Sequence, residues 1–573
     1  MLNFKELKNN LKKDYSGFKI IKIVILGDSA TQLLVQAIKG YGYDEKINFE
    51  IYEADYQQIE QEIINLDSKL YEFNPEYIVI FESTEKLMDD FYKSNNIYKN
   101  NYADTQIERI KNLWNRVNSK LNYKIINFNY VEINDNIFGN YGNKVETAFI
   151  YQVRKLNLNL MEAAREYKNI FINDVCTLQN INGRKNSFDP RLYISSNIVF
   201  NIDFLPLIAK NIVDIIKAAS GKINKCLILD LDNTVWGGII GDDGINNIQI
   251  GELGIGKAFS ELQMWAKQLK ERGILLAICS KNTEKIAKEP FTNHPDMILH
   301  LDDISIFVVN WENKVDNIKY IQSVLNIGFD SMVFIDDSSF ERNMIRKMIP
   351  EITVPELPED PVDYVPYLRS LNLFETVSYS DEDSDRTKKY QYEVKRAKFK
   401  TNFSSIDDYL KNLNMIAEVA EFDDYHIPRI AQLTQRSNQF NLRTKRYTEQ
   451  CIKKIRESNQ YITRYFKLED KFGEYGLIGI IILKKIDSDS VFIDTLIVSC
   501  RVLKRGMEEF IFNKIVKLAA SEGYNKIIGE YLPTPKNALV KDIFQEFGFT
   551  KEEDQWELDI KDYRERKVFI KEK

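Results

Sequence analysis

The chain reads as an α/β protein of three domains built around a central parallel sheet, and two observations predict this. Short apolar runs of strand length alternate with amphipathic stretches along most of the 573 residues. The run CLILDLD also leaves a buried strand directly on two aspartates, Asp230 and Asp232, and later apolar runs end on polar groups in the same way. A chain of this length exceeds one hydrophobic core, and about 150 residues per domain sets the expectation at three or four units.

Taken in order, residues 1–220 carry the strand-like runs IKIVILG, YIVIFES, KIINFNY and NIFIND between amphipathic stretches, the pattern of a parallel sheet with helices. A second alternation spans 221–370. It opens at Cys226, continues through a helix at 257–272 (Ala258, Phe259, Leu262, Trp265, Ala266 and Leu269 share its apolar face) and strands ILLAICS and MVFIDD, and closes near VPELPEDPVDYVP. Residues 371–410 are strongly charged and predict a helical connector with a solvated polar face. Residues 411–573 form a third α/β unit. It has strands IGIIILKK and VFIDTLIVS, a helix from Gly506, and FQEFGF leading into a final strand.

Composition narrows the function classes. No apolar run approaches the roughly 20 residues of a membrane span, and the N-terminus has no secretory h-region. Five unclustered cysteines read as reduced thiols, so a soluble cytoplasmic protein is expected. A net charge of −7 gives no whole-molecule attraction for nucleic acid.

Phosphoryl chemistry on a carboxylate needs an aspartate at a strand's C-terminal end, a second acid two residues on, and a cation to offset phosphate charge. LDLDNTVWGG supplies Asp230 and Asp232, and the remaining parts follow in order at the ends of apolar runs: ICSKN with Ser280, NWENK with Lys314, and FIDDSS with Asp336 and Asp337. A buried strand ending in a solvated turn accounts for one aspartate but not for the set. The four motifs resemble those of the haloacid dehalogenase (HAD) superfamily. That resemblance implies a nucleophile at Asp230, a general acid/base at Asp232, and phosphate binding by Ser280, Lys314 and Thr234. It further implies a magnesium site formed by Asp230, Asp232, Asp336 and Asp337. Only about 22 residues separate Lys314 from Asp336, so no large cap is inserted there, and an open site suits a protein or a phosphate on a long arm.

Cys279 directly precedes Ser280. By position it is either a small buried hydrophobe at a strand end or a thiol within reach of the same substrate. The longer strings KCLILDLDNTVWGGIIGDDG, QLTQRSNQFNLRTKRYT, DKFGEYGLIGIII, IDTLIVSCRVLKRGMEE and YLPTPKN resemble the FkbH-like proteins of polyketide assembly lines over nearly the whole chain. This family implies transfer of a glyceryl unit from 1,3-bisphosphoglycerate, with loss of phosphate, through an enzyme thioester to the phosphopantetheine thiol of an acyl carrier protein. Cys279 is then the expected carrier thiol and Cys500 its rival, while Asp230 either forms a phosphoaspartate or only holds the metal.

The flanking domains have resemblances of their own. VILGDSATQLL places Ser29 after a strand as in SGNH hydrolases, but no histidine precedes His294, and FDPRLYISS offers Asp189 without the histidine base. A binding or scaffold role is expected in place of hydrolysis. SCRVLKRGMEEF resembles the GNAT acyltransferase loop, so Arg501, Lys504, Arg505 and Gly506 are expected to seat a carrier's phosphopantetheine arm at a helix N-terminus. The segment RTKRYTEQCIKKIRES, with Arg443, Lys445, Arg446, Lys453 and Lys454, is either a docking face for an acidic carrier or a solvated helix face. A plain phosphatase of a small phosphate ester and a carrier-binding scaffold are the competing readings.

Overall fold

The computed structural model describes residues 2–119, 123–379, 386–400, 402–437 and 439–573. Part of the predicted connector, residues 380–385 and Thr401, lies outside them. The chain forms two compact units, Met1–Lys217 and Ala218–Lys573.

The first unit is built on five parallel strands, β1 (Lys19–Gly27), β2 (Ile47–Glu53), β3 (Tyr77–Phe81), β4 (Lys124–Phe128) and β5 (Ile170–Asn173), ordered β2-β1-β3-β4-β5. β3 is buried on both faces, as a near-continuous apolar run in a parallel sheet should be. Helices such as Tyr102–Asn118 and Phe149–Ala164 present Ile110, Trp114, Leu156 and Leu160 to the sheet. Each fully buried side chain of this kind contributes about 1.5–3 kcal/mol.

The second unit holds two sheets. β6 (Cys226–Leu229), β7 (Leu275–Ser280), β8 (Ile304–Val309) and β9 (Met332–Ile335) are parallel in the order β8-β7-β6-β9, which makes β6 central. Alternation sorts its residues. Leu227, Leu229, Leu276 and Ile278 pack on the face covered by the helix Ile255–Glu271, and Cys226, Ile228, Ala277 and Cys279 on the face covered by the helix Lys314–Leu325.

The other sheet is mixed. It comprises β10 (Met415–Ala420), β11 (Tyr461–Asp470), β12 (Gly473–Lys485), β13 (Ser490–Val498), β14 (Lys526–Gly529), β15 (Thr550–Glu552), β16 (Gln555–Asp559) and β17 (Ile570–Glu572), ordered β15-β16-β14-β13-β12-β11-β10-β17. β13 and β14 pair in parallel only from Ser490 to Phe492. Beyond that the residues around Asn441 pair with both partners: Asn441 bridges Ile497, Val498 N–H donates to Phe440 O (3.2 Å), and Leu532 N–H donates to Leu442 O (2.9 Å). FQEFGF leads into a strand at Thr550, as expected, but β15 is not the last: β16 and β17 follow it.

The charged connector is the larger departure. Its helix, Arg386–Lys400, lies between the two sheets of this unit and is not a solvated strut. Tyr390 joins the apolar layer behind β6, and Gln391 Nε2 donates to Asp302 O and Ile304 O. Arg396 is 1% exposed and clasps Asp470 through Nε and Nη2, both at 2.7 Å. Charge pairing, which composition does not reveal, lets this polar helix be buried.

Candidate active site at the ends of β6, β7 and β9

Apolar strands end where the carboxylates begin. Asp230 follows β6, and its N–H donates to Ile335 O (3.0 Å), which ties the end of β6 to the end of β9, where Asp336 follows. Lys314 is the first residue of its helix, capped by Asn313, whose Oδ1 accepts from Asp316 N–H (2.8 Å). From there the Lys314 ammonium reaches Asp230 Oδ1 at 2.8 Å and Asp336 Oδ2 at 2.6 Å. Carboxylate oxygens of Asp230, Asp336 and Asp337 all lie within 4.8 Å of one another.

The electrostatics of this cluster are unbalanced. Burial works to lower the Lys314 pKa, but Asp230 and Asp336 outweigh it and hold the ammonium charged. Burial and the nearby Asp230 raise both Asp336 and Asp337. Three carboxylates thus face one ammonium, an excess of negative charge on hard oxygen donors that fits a small divalent cation.

Asp232 is a correction to the expected four-carboxylate site. Its side chain lies outside the cluster because three donors hold it elsewhere: Trp236 Nε1 (2.9 Å), Ile240 N–H (3.1 Å) and Asn282 Nδ2 (3.1 Å). Burial raises its pKa against those hydrogen bonds, which suits a group that gives and takes a proton. Thr234 is likewise redirected. It is fully buried, and its Oγ1 accepts the Asp337 N–H (3.1 Å), so it shapes the carboxylate loop and does not face a phosphate. Ser280, which is buried, ends β7 beside these groups.

Cys279 is on the same sheet face as Ile228, one strand over, but its thiol is fully buried. The S–H points at Lys314 O (3.9 Å), and burial, reinforced by Asp230 and Asp336, keeps the thiol strongly protonated against the pull of Lys314. The expected role as an accessible acyl-carrying thiolate is therefore not supported: apolar packing around the strand end won over the polar neighbours.

Sequence reasoning missed Arg342. Its Nη1 donates to Asp336 O (2.8 Å) and Asp337 O (2.7 Å), fixing the backbone that aims both carboxylates. Lys281 is also tied down, 2.6 Å from Glu341. The spacing of Glu341 and Arg342 behind the DD pair, in the helix Ser339–Met348, was the available signal.

In the first unit Ser29 is buried and its hydroxyl donates to Asp28 Oδ1 (2.8 Å). Burial pushes Asp28 up to about 6, while Asp189 merely caps the helix Pro190–Ser196.

The expected pantetheine loop is occupied by its own side chains. Lys504 N–H donates to Glu508 Oε1 (2.9 Å), and Arg505 is tied to Glu393 and to Tyr475 Oη, the latter at 2.6 Å. Gly506, at φ +81°, serves as the helix N-cap. Lys504, Arg505 and Gly506 thus do not form the open anion cradle expected, because internal carboxylates take its place. In the basic segment, Arg443 and Lys445 pair with Asp494 (3.0 and 2.5 Å), and Arg446 donates to Ser437 O. Only Lys453 and Lys454 of the five are exposed.

The FkbH N-terminal domain family matches residues 22–217. The crystal structure of the N-terminal part of BF1531 from Bacteroides fragilis, described as containing a phosphatase domain complexed with Mg, is 50% identical. It covers 66% of this chain and 100% of its own, with a TM-score of 0.64. The spermidine N-acetyltransferase of Vibrio cholerae, in complex with CoA and spermine, matches 26% of this chain and 97% of its own at 15% identity and a TM-score of 0.21. The ribosomal-protein-S18-alanine N-acetyltransferase of Escherichia coli matches 25% and 94% at 12% identity, also with a TM-score of 0.21. No curated protein matches the sequence. Among the described residues no helix is long and apolar enough to cross a membrane.

Fold and site together define an α/β chain whose second unit carries a HAD-like parallel sheet with a carboxylate centre at its strand ends. The chain belongs to the FkbH-like family.

Proposed function

We propose that this chain is a magnesium-dependent enzyme that takes the glyceryl unit of 1,3-bisphosphoglycerate, releases phosphate, and delivers glyceryl to the phosphopantetheine thiol of an acyl carrier protein. The observation that carries the phosphoryl part is the cluster of Asp230, Asp336 and Asp337 around Lys314 at adjoining strand ends. The acyl substrate and the carrier come from the family resemblance. Asp230, Asp336 and Asp337 would hold Mg²⁺, which supplies charge neutralisation at the phosphate when bound. Lys314 adds a fixed positive charge for the departing phosphate oxygen, and Asp232 is poised for proton transfer.

The buried, protonated state of Cys279 favours attack by the carrier's own thiol over a relay through the enzyme. The new C–S bond forms at the acyl carbon as its C–O bond to the 1-phosphate breaks, the thiol proton leaving with that phosphate; the 3-phosphate ester is cleaved separately by water, which takes the phosphoryl group as a second phosphate and returns a proton to the C3 oxygen, leaving glyceryl on the carrier. The test is intact mass of enzyme and carrier after incubation with Mg²⁺, 1,3-bisphosphoglycerate generated in place and phosphopantetheinylated carrier. We expect Cys279→Ala to load the carrier at a rate within about threefold of the wild type, with a packing cost of roughly 1 kcal/mol. A glyceryl increment on the wild-type enzyme that vanishes in Cys279→Ala, together with loss of carrier loading, establishes the relay instead. Phosphate release with no increment on either protein reduces the activity to that of a phosphatase, the reading favoured by the B. fragilis structure.

Thr234→Val probes the carboxylate loop. Removing the acceptor of the Asp337 N–H should weaken Mg²⁺ binding about 10–100-fold, read by calorimetric titration, because this hydrogen bond holds the backbone that aims the Asp337 carboxylate. Unchanged affinity would show that the loop holds its shape without this hydroxyl.

A further inference from the structure

The sheet of the first unit reverses direction at β1, with β2 on one side of it and β3 on the other. In an open parallel sheet a crevice forms beyond the carboxyl ends of the strands at such a reversal. Asp28 leaves β1, Glu82 and Ser83 leave β3, and the Asp28 N–H ties the two ends together by donating to Phe81 O (3.1 Å). A cavity of about 510 Å³ lies at this point, within the usual small-ligand range of about 300–1,000 Å³. It belongs to the first unit, whereas the carboxylate centre belongs to the second. Ser29 does not line it, because its hydroxyl is turned onto Asp28 Oδ1, so the cavity is not the cleft of a serine nucleophile.

The wall is polar, and Leu87 is the one aliphatic residue among the described residues that line it. Two helices supply most of it: Thr84–Lys93, just after β3, and Tyr102–Asn118, on which Gln106 and Arg109 stand three residues apart and so share a face. The charges inside are already matched. Arg109 donates from Nη1 to Glu60 (3.2 Å), from Nη2 to Glu82 (2.5 Å) and from Nε to Gln106 Oε1 (3.0 Å). Asp28 accepts from Ser29 and from both the N–H (2.7 Å) and the hydroxyl (3.1 Å) of Ser83, while Lys86 donates to the Asp28 carbonyl. Asp89, Asp90 and Lys93 are exposed, where water solvates their charge.

What remains is unused hydrogen-bonding capacity in fixed directions. Gln106 is 9% exposed, and its Nε2 has no partner among the described residues. A buried amide left unpaired costs about 1–3 kcal/mol, so a partner belongs beside it. Arg109 uses three of its five N–H groups, and the Glu60 and Glu82 carboxylates keep free lone pairs. Donors and acceptors thus stand side by side, the pattern that fits hydroxyl groups, which donate and accept at once. A free ion of either sign fits poorly: a phosphate would face Asp28, Glu60 and Glu82, and an ammonium would face Arg109 and Lys86.

We propose that this cavity binds an uncharged polyhydroxylated small molecule, a sugar or cyclic polyol, whose adjacent hydroxyls bridge the Gln106 and Arg109 donors and the Glu60 and Glu82 carboxylates. Gln57 brings a second amide to the wall, held in the left-handed region at φ +66° with its N–H on Gly27 O (3.0 Å). Its neighbour Tyr56 is 57% exposed, with the Lys86 ammonium 5.6 Å from its ring centre, and offers a flat apolar face to the C–H groups of such a ligand. The inference rests on this cavity alone and not on the proposed glyceryl transfer.

The test is saturation-transfer NMR on the full chain with D-glucose, D-ribose and myo-inositol at millimolar concentration, and with inorganic phosphate and putrescine as competitors. Transfer to at least one of the three polyols is expected, undiminished by either competitor, and Gln106→Leu should weaken that binding about tenfold, as loss of one hydrogen bond at a desolvated site does. No transfer to any of the three overturns the proposal, as does displacement of the polyol by phosphate or putrescine, which marks an ion site. Equal binding in Gln106→Leu also overturns it, because the polyol then sits elsewhere. Glu60→Ala, at an exposed position, keeps the test decisive if Gln106→Leu fails to fold. It should weaken binding severalfold, and unchanged binding overturns the proposal.

Discussion

Asp230→Asn should abolish phosphate release while making the metal-free protein more stable. The substitution keeps the shape of the side chain but removes the nucleophile or metal-holding charge, and loss of such a group typically costs on the order of 10⁴-fold or more in rate. Stability should move the other way. Besides burial, the Asp230 charge raises both Asp336 and Asp337, so removing it relieves repulsion, and Lys314 keeps Asp336 as a partner at 2.6 Å. Thermal unfolding in EDTA should therefore show a higher melting temperature for the variant, and added Mg²⁺ should stabilise the wild type more than the variant. Release within tenfold of the wild type would mean that the chemistry lies elsewhere. A lost activity accompanied by a lowered melting temperature would mean that Asp230 is mainly structural.

How much of this was legible in the sequence depends on whether the signal was local. Asp230, Lys314, Asp336 and Asp337 were readable because each stands just beyond an apolar run or at a helix start, and a parallel sheet gathers such ends at one edge. Asp232 and Thr234 were assigned by motif position, and Cys279, which position alone left open, by the family resemblance. Their actual partners, Trp236, Asn282, the Asp337 amide and the Lys314 carbonyl, are set by side-chain direction, which no spacing encodes. Cys279 illustrates this: two residues on from Ala277, it shares that residue's face and so its apolar surroundings. The segment SCRVLKRGMEEF does follow a strand and turn into a helix, as its pattern predicts. What eluded sequence reasoning was that Glu393, brought in by the helix Arg386–Lys400, and Glu508 would occupy it from within.

The same helix yields the prediction with the second largest effect. Arg396→Met should destabilise the second unit by about 3–5 kcal/mol, because it strands a buried carboxylate that has lost its counter-ion. Asp470 is fully buried in its side chain and accepts both guanidinium bonds, Glu393 is 2.9 Å from Nη1, and the guanidinium carbon sits 3.9 Å from the centre of the Tyr475 ring. Arg396 also donates to Gly473 O (3.1 Å), so one side chain holds the turn between β11 and β12 against the helix. Denaturant unfolding of the full chain, followed by a probe in the second unit, measures the loss. Asp470→Asn alone should cost a similar amount by leaving the arginine short of charge, whereas Arg396→Met combined with Asp470→Leu should recover a good part of it, since two apolar groups leave no buried ion behind. A cost below about 1 kcal/mol for Arg396→Met is what a solvated connector would show. That result would return this helix to the role its composition suggests and would remove the main polar tie between it and the C-terminal sheet.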